Sequence, residues 1–218
     1  MQHVTESEVV SPRVRMSAGQ RRESILAAAT EVFAEVGYRR GKVSTIAARI
    51  GVSEPVVFQN FGTKAALFAA VLDRVATTAC DALSSSATRG GSVSEVLAMI
   101  LSPGHLDEIH APGAFGALFA EAGSLTSDPG VGEAARSTIR RVATALTELL
   151  ARGQEASEVR ADVDPVAGAW WLLSLVSART FRTAIAEDPS AVEAQLVALT
   201  LALLTVPGGA RGTGSPYA

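Results

Sequence analysis

Apolar residues recur at intervals of three and four along most of the chain, a period typical of helices with one buried face. The first such stretch follows Ser17, which stands at capping-box spacing from a glutamine, and Gly37 is predicted to end it. A shorter stripe closes at Gly51, and a third begins at Ser53, a good N-cap, with Pro55 in its first turn. The pattern therefore predicts three helices in succession. The inward positions of the first are Ile25, Ala28, Ala29, Val32, Phe33 and Val36.

The same pattern continues to the end of the chain. A long helix is predicted from about Thr63 to Ala87, followed by a short helix over 93–101 and a short segment that ends at His110. The remaining predicted helices are 113–122, 131–152, 165–186 and 189–205, and an Asp-Pro pair starts each of the last two. No alternating pattern of the strand type occurs, so the predicted fold class is all-α.

The last two helices are apolar on more than one face. The segment AGAWWLLSLV, residues 167–176, has no charge on any side and therefore has to be covered all round. The final helix has two apolar stripes, which consist of Val192, Leu196, Leu199 and Leu203 and of Val197, Leu201 and Leu204. A homodimer through these two helices, with a four-helix interface, would cover both stripes. Complete burial within one chain is the alternative.

Composition favours a globular protein of the cytoplasm. The chain has 218 residues, of which 48% are hydrophobic and 19% charged. The longest apolar helical stretch, 196–206, is shorter than the ~20 residues that a membrane span requires, and no signal-peptide pattern occurs at the amino terminus. Cys80 is the single cysteine, which excludes an internal disulfide and is typical of a reducing compartment.

Charge is distributed unevenly along the chain. The net charge is −3, yet residues 11–64 carry nine basic side chains against four acidic ones, whereas residues 65–218 carry ten against sixteen. A basic amino-terminal third on an acidic body is typical of a protein in which one part meets a polyanion. Chance scatter over a solvated surface is the other interpretation.

The residues around the corner at Gly51 have helix-turn-helix spacing. Ala47 is small where two helices approach, Gly51 can adopt a positive φ at the corner, and Val57 can lock the second helix. That helix would present its outer positions to bases, since glutamine and asparagine pair with adenine and valine meets the thymine methyl. Ser53 would suit a phosphate, and a helical corner without function is the alternative. The outer positions are Glu54, Pro55, Val56, Gln59 and Asn60.

Residues 20–72 resemble the DNA-binding domain of the TetR family of transcriptional regulators. The similarity lies in RESILAAATEVFAEVGY, in VSTIAARIGVSEPVVFQNFGTKAALF, and in the ending formed by Phe58, Phe61, Lys64 and Leu67. It implies a helix-turn-helix domain over 17–63, with the motif at about 42–61, and an effector-binding and dimerisation domain over 64–206. The other residues, 1–16 and 207–218, are rich in polar and turn residues and are predicted to be disordered. Outside residues 20–72 the resemblance is one of outline only.

Carried over residue by residue, the resemblance implies phosphate contacts at Lys42, Ser44 and Lys64 and base contacts from Glu54 to Asn60. The sequence departs from the family pattern at Gly41 and Lys42, which replace a threonine cap and a hydroxyl residue, and at Asn60. It also has Phe58 where relatives have a tyrosine that reaches a phosphate. We therefore expect a partly rebuilt phosphate network and a different operator.

The resemblance further implies an effector pocket among the carboxy-terminal helices. Apolar and aromatic candidates suggest an apolar or aromatic effector, although ordinary core packing is the alternative for each of them. The candidates are Met99, Phe115, Leu118, Phe119, Trp170 and Trp171. No catalytic motif or cofactor loop is found, and His105 and His110 lack a second cluster that would favour a metal site.

The sequence thus predicts a homodimeric transcriptional regulator without enzymatic activity. We interpret it as a repressor on a palindromic double-stranded DNA operator, released by a small molecule. Two alternatives remain open: a helical sensor or carrier that does not bind an operator, and a TetR-like regulator controlled by a protein partner.

Overall fold

The computed structural model describes residues 16–88, 91–111 and 114–207. Within these ranges no strand is formed, and only an isolated antiparallel bridge joins Val159 and Thr205, so the all-α prediction is confirmed. The described helices are α1 Ala18–Arg40, α2 Val43–Arg49, α3 Glu54–Phe61, α4 Lys64–Thr88, α5 Val93–Ile100, α6 Pro103–His110, α7 Phe115–Ser124, α8 Gly132–Glu155, α9 Pro165–Ser177, α10 Arg179–Ile185 and α11 Pro189–Leu204. The predicted disordered arm and tail lie almost wholly outside the described residues.

The first helix begins as predicted, and its helical geometry breaks at the predicted residue, Gly37. Ser17 and Gln20 form the expected capping box. Gly37 has φ 79° and ψ 167° and breaks the helical geometry, but one further turn follows because the Gly41 N–H donates to the Gly37 carbonyl at 2.9 Å. The helix is therefore kinked at Gly37 and ends at Arg40. Val36, predicted to be buried, is 37% exposed because it lies beside this kink.

The predicted helix over 165–186 is interrupted in the structure. It divides at Ala178 into α9 and α10, where the backbone has φ −83° and ψ 0°. The carbonyl of Leu175 accepts a hydrogen bond from Arg182 Nη2 at 2.7 Å. A side chain thus satisfies a carbonyl at the break, in the manner of a helix end.

The buried residues form two clusters, and α4 and α8 contribute to both. The first gathers α1 to α4 with α7 and the start of α8, and the second gathers the end of α4 with α5, α8, α9 and Leu204 of α11. The inward positions predicted on α4, from Leu67 to Val75, are buried in the first cluster. Because α4 and α8 contribute to both clusters, the two parts of the chain are joined by continuous helices. The predicted domain limits at 63 and 64 coincide with the start of α4 and stay a prediction.

No helix in the described ranges is long and apolar enough to cross a membrane.

Candidate nucleic-acid interface

The corner between α2 and α3 has the geometry that the sequence spacing predicts. Gly51 has φ 67°, in the left-handed region that favours glycine. The Val52 N–H donates to the Ala47 carbonyl at 3.0 Å and closes the turn. Ala47 and Val57 are 2% and 1% exposed, with Ile46 fully buried between the helices. The two helices are therefore locked by packing at the predicted positions.

The third helix buries one side and presents the other to solvent. Val57 and Phe61 point into the core, whereas Glu54, Pro55 and Gln59 are exposed. Val56 is half-buried. Ser53 occupies the predicted N-cap position, but within the described structure its side chain makes no capping hydrogen bond, so its hydroxyl is available to a ligand. This exposed side has the residue types expected of a base-reading surface.

Asn60 differs from the other predicted base readers. It is half-buried, and its Nδ2 donates to the Val56 carbonyl one turn earlier at 2.7 Å. The backbone carbonyl of Asn60 accepts a hydrogen bond from Arg22 Nη1. The Arg22 guanidinium lies 4.1 Å from the centre of the Phe61 ring. The Asn60 amide thus lies along α3 and has to rotate before it can reach a base.

A basic concavity of about 540 Å³ lies where the start of α2 meets the last turn of α1 and the start of α4. It brings together Lys42 and Lys64, which are the only lysines of the sequence, with Ser44. Since four cationic side chains line it against one carboxylate, it suits a polyanion. The complete lining is Arg39, Arg40, Gly41, Lys42, Val43, Ser44, Glu54, Phe58 and Lys64.

The side chains that the family resemblance predicts to contact phosphates therefore line one concavity, and Arg39 and Arg40 line it with them. Both arginines are exposed in the turn that follows the kink, and sequence reasoning counted their charge without assigning them a role. Phe58 is 41% exposed at the same concavity. Arg49 is not part of this surface, since it pairs with Glu31 at 3.2 Å and Glu35 at 2.9 Å.

Lys64 is fixed by contacts with α1. Its Nζ donates to the Arg39 carbonyl at 3.2 Å and lies 4.8 Å from the centre of the Tyr38 ring. The Tyr38 ring packs on Phe68, with centroids 4.7 Å apart. Burial lowers the pKa of the Lys64 ammonium from its usual value, against an opposing contribution from Glu121. The ammonium is thus held at the edge of the concavity by the aromatic core beneath it.

Comparison with known proteins gives a family match for the amino-terminal part of the chain. Residues 25–71 match the family described as bacterial regulatory proteins, tetR family. This stretch contains the whole helix-turn-helix with most of α1 and the first part of α4. The DNA-binding region of this chain is therefore similar to that of TetR-family regulators.

The individual relatives of this chain include an activator and a repressor of transcription. It is 45% identical over 60 residues to the transcriptional activator FasR of Mycolicibacterium smegmatis, a match that covers 28% of this chain and 27% of FasR. It is 28% identical over 176 residues to the transcriptional repressor Rv1474c of Mycobacterium tuberculosis, covering 81% of this chain and 89% of the repressor. The chain therefore spans about a quarter of the first relative's length and most of the second's.

A solved structure shares the fold of this chain. The transcriptional regulator FadR from Bacillus subtilis, in complex with stearoyl-CoA, has a TM-score of 0.63. The identity is 17%, and the match covers 83% of this chain and 98% of that one. The likeness covers most of both chains and shows a common fold.

The predicted effector residues lie in different surroundings. Leu118 is fully buried in the first cluster, and Phe119 packs against the second. Met99, Trp170 and Trp171 are 46%, 44% and 46% exposed on the single chain, and Trp171 Nε1 donates to Thr200 Oγ1 at 3.2 Å. The side chain of Phe115 lies outside the described residues. Their role as an effector site stays a prediction.

His110, one of the two histidines considered for a metal site, contacts backbone carbonyls of two helices. The His110 ring nitrogens face the carbonyls of Leu106 at 2.8 Å and Val176 at 3.1 Å, so this ring links α6 to α9. Among the described residues, no group of three or more histidine, cysteine or acidic side chains is placed to hold a metal ion.

Proposed function

We propose that this chain is a cytoplasmic homodimeric repressor of the TetR family, which binds a palindromic DNA operator and is released by a small apolar or aromatic effector. The observation that carries the DNA-binding part is the basic concavity beside α3. It gathers both lysines of a chain whose net charge is −3, together with Arg39 and Arg40. Phosphates would be held there while the exposed side of α3 faces the bases of one half-site.

The uncovered apolar surface of α9 and α11 supports the dimer. On α9 the side chains of Val166, Trp170 and Trp171 are each 44% exposed or more, in a helix that carries no charge. On α11 the exposed stripe contains Leu199 at 54% and Leu203 at 45%. Single chains rarely leave so many large apolar side chains uncovered next to each other, and a second copy would cover them.

Relatives of known type support the proposed repression and the proposed class of effector. The match that covers most of this chain is with a repressor, which favours repression over activation. FadR, which shares the fold, holds stearoyl-CoA, a ligand with a long apolar chain. The apolar candidates on α5, α7 and α9 would suit an effector of that general chemistry.

Footprinting on the intergenic DNA that flanks the gene tests the DNA-binding part. We expect a protected site with two-fold symmetry, two half-sites about one helical turn apart, and an affinity that falls steeply between 50 and 200 mM salt. Protection that is equal on random DNA of the same length would contradict operator recognition. A sensor or carrier without operator binding would give no protection at any salt concentration.

Sedimentation of Leu199→Glu tests the dimer. The substitution places a charge in the proposed interface, so the variant should be monomeric at micromolar concentration, where the wild type is dimeric. Thr144→Glu, at an exposed position of α8, adds the same charge and should leave the dimer intact. A dimeric Leu199→Glu variant would show that the interface lies elsewhere.

A further inference from the structure

Glu121 of α7 makes a hydrogen bond to the last turn of α1, far from it in sequence. Its Oε1 accepts from the backbone N–H of Tyr38 at 2.7 Å. That N–H directly follows the kink at Gly37, at the start of the short turn that ends at Arg40. A carboxylate that accepts an N–H at the start of a helical turn acts as an N-cap, and here a different helix supplies it.

The contact depends on the glycine at the kink. A Cβ added at Gly37 would lie 2.7 Å from Glu121 Oε1, and the φ of 79° is one that other residues rarely adopt. The same glycine therefore creates the free N–H of the next residue and the space for the carboxylate that binds it. Residue 37 and residue 121 form one joint between α1 and α7.

The joint lies between the buried clusters and the basic concavity. On α7, Leu118 is buried in the first cluster, and Phe119 packs against the second. On the other side, the capped turn carries Arg39, and the Arg39 carbonyl accepts from Lys64. The chain of contacts thus runs from the carboxy-terminal core to the side chains that line the concavity.

The carboxylate is partly withdrawn from water in a basic environment. Burial raises the pKa of Glu121 above the usual value of 4.5, and the Tyr38 N–H and the charges of Arg39, Arg40 and Lys64 oppose this shift. Burying a charged group has a cost that an exposed position would avoid. A carboxylate kept at this place is therefore engaged with the turn rather than with solvent.

We infer that Glu121 is a positioning residue for DNA binding, which holds the turn from Tyr38 to Arg40, and with it the basic concavity, in register with α7. The inference rests on the proposed DNA-binding function. It assigns to α7 a direct mechanical link to the phosphate-binding surface, through α1 rather than through α4 alone.

Two substitutions at one position separate the hydrogen bond from the charge. Glu121→Gln keeps an acceptor and removes the charge, so its affinity for the footprinted operator should equal or exceed that of the wild type. Glu121→Ala removes the acceptor. Loss of a charge-assisted hydrogen bond that places the turn should weaken operator binding roughly tenfold and make the salt dependence shallower. Glu155→Ala, an exposed carboxylate at the end of α8, serves as the control and should bind as the wild type does.

The amide resonance of Tyr38 reports the contact without DNA. It should move in Glu121→Ala and stay close to its wild-type position in Glu121→Gln. Equal affinities of both variants and the wild type, or an equal gain in both, would overturn the inference, because charge alone would then explain the result. If Glu121→Ala does not fold, Glu121→Asp replaces it, since its shorter side chain keeps the charge and loses the reach. A wild type that binds no DNA would instead refute the proposed function, and this outcome is recognised before any variant is compared.

Discussion

Replacement of Lys64 by alanine tests the phosphate-binding surface most directly. In the structure its ammonium donates once, to the Arg39 carbonyl at 3.2 Å, and lies over the Tyr38 ring. An ammonium has three N–H donors, so two remain for a phosphate oxygen at the edge of the basic concavity. These contacts therefore position the ammonium and leave N–H donors for a phosphate.

The expected effect on salt dependence follows from the number of contacts. A dimer contains two copies of Lys64, so the variant loses two phosphate contacts, and the slope of log K against log salt should become shallower by about 0.9 × 2, or ~1.8. When the salt concentration rises from 50 to 200 mM, the affinity of the variant should therefore fall by a factor roughly ten times smaller than that of the wild type. Operator and random duplexes should be affected alike, because a phosphate carries no sequence. Loss of the contacts to Arg39 and Tyr38 should also lower the free energy of unfolding by about 1 kcal/mol.

Fluorescence anisotropy with labelled operator and random duplexes over a salt series measures the slope. Lys42→Ala is the matched control, because Lys42 lines the same concavity and is exposed at the N-cap of α2. We expect the same change of slope in Lys42→Ala without the loss of stability, and unchanged effector affinity in DNA-free Lys64→Ala. A wild-type slope in Lys64→Ala would refute the assignment and leave Lys64 as a structural lysine.

Two further pairs of variants compare neighbouring positions. Gln59→Ala should relax sequence preference and cost roughly 1–3 kcal/mol at the operator, whereas Asn60→Ala should cost less, because its amide first has to leave the Val56 carbonyl. Binding to operator variants checks this, and equal losses on operator and random DNA would indicate phosphate contacts instead. Gly51→Ala should destabilise the fold by about 1–2 kcal/mol through its φ of 67° alone, since an added Cβ meets nothing within 4 Å. Gly37→Ala should cost more in urea unfolding because it also meets the Glu121 carboxylate, and equal costs would show that this contact yields freely.

Local chemistry explains why much of the interface could be predicted. The capping box at Ser17, the proline in the first turn of α3 and the corner at Gly51 each depend on residues a few positions apart. Helix-turn-helix spacing placed Ala47 and Val57 at the packed corner between α2 and α3, and both are buried there. The family pattern then assigned Lys42 and Lys64 to one surface, and the structure brings them to one concavity.

Side-chain direction could not be predicted in this way. Asn60 is a residue type that can read bases, yet its side-chain amide lies back along α3. The Val56 carbonyl, one turn earlier, offers it an acceptor at 2.7 Å. The helix over 165–186 has uninterrupted helical character, but it divides at Ala178, where Arg182 satisfies the Leu175 carbonyl. In both cases the direction of a polar side chain depends on the packed structure and not on residue type alone.

The sequence by itself determined most of the helices, the capping box at Ser17, the position of the corner and the uneven distribution of charge, because these depend on local spacing and residue type. Only the tertiary structure decided that Glu121 caps the last turn of α1, 83 residues earlier in the chain, and that Lys64 is held by Arg39 and Tyr38. The separation of these residues in sequence does not indicate how far apart they lie in the folded chain. The contacts form only when α1, α4 and α7 pack around one core, and the kink at Gly37 then leaves an N–H for which the packed structure supplies the partner.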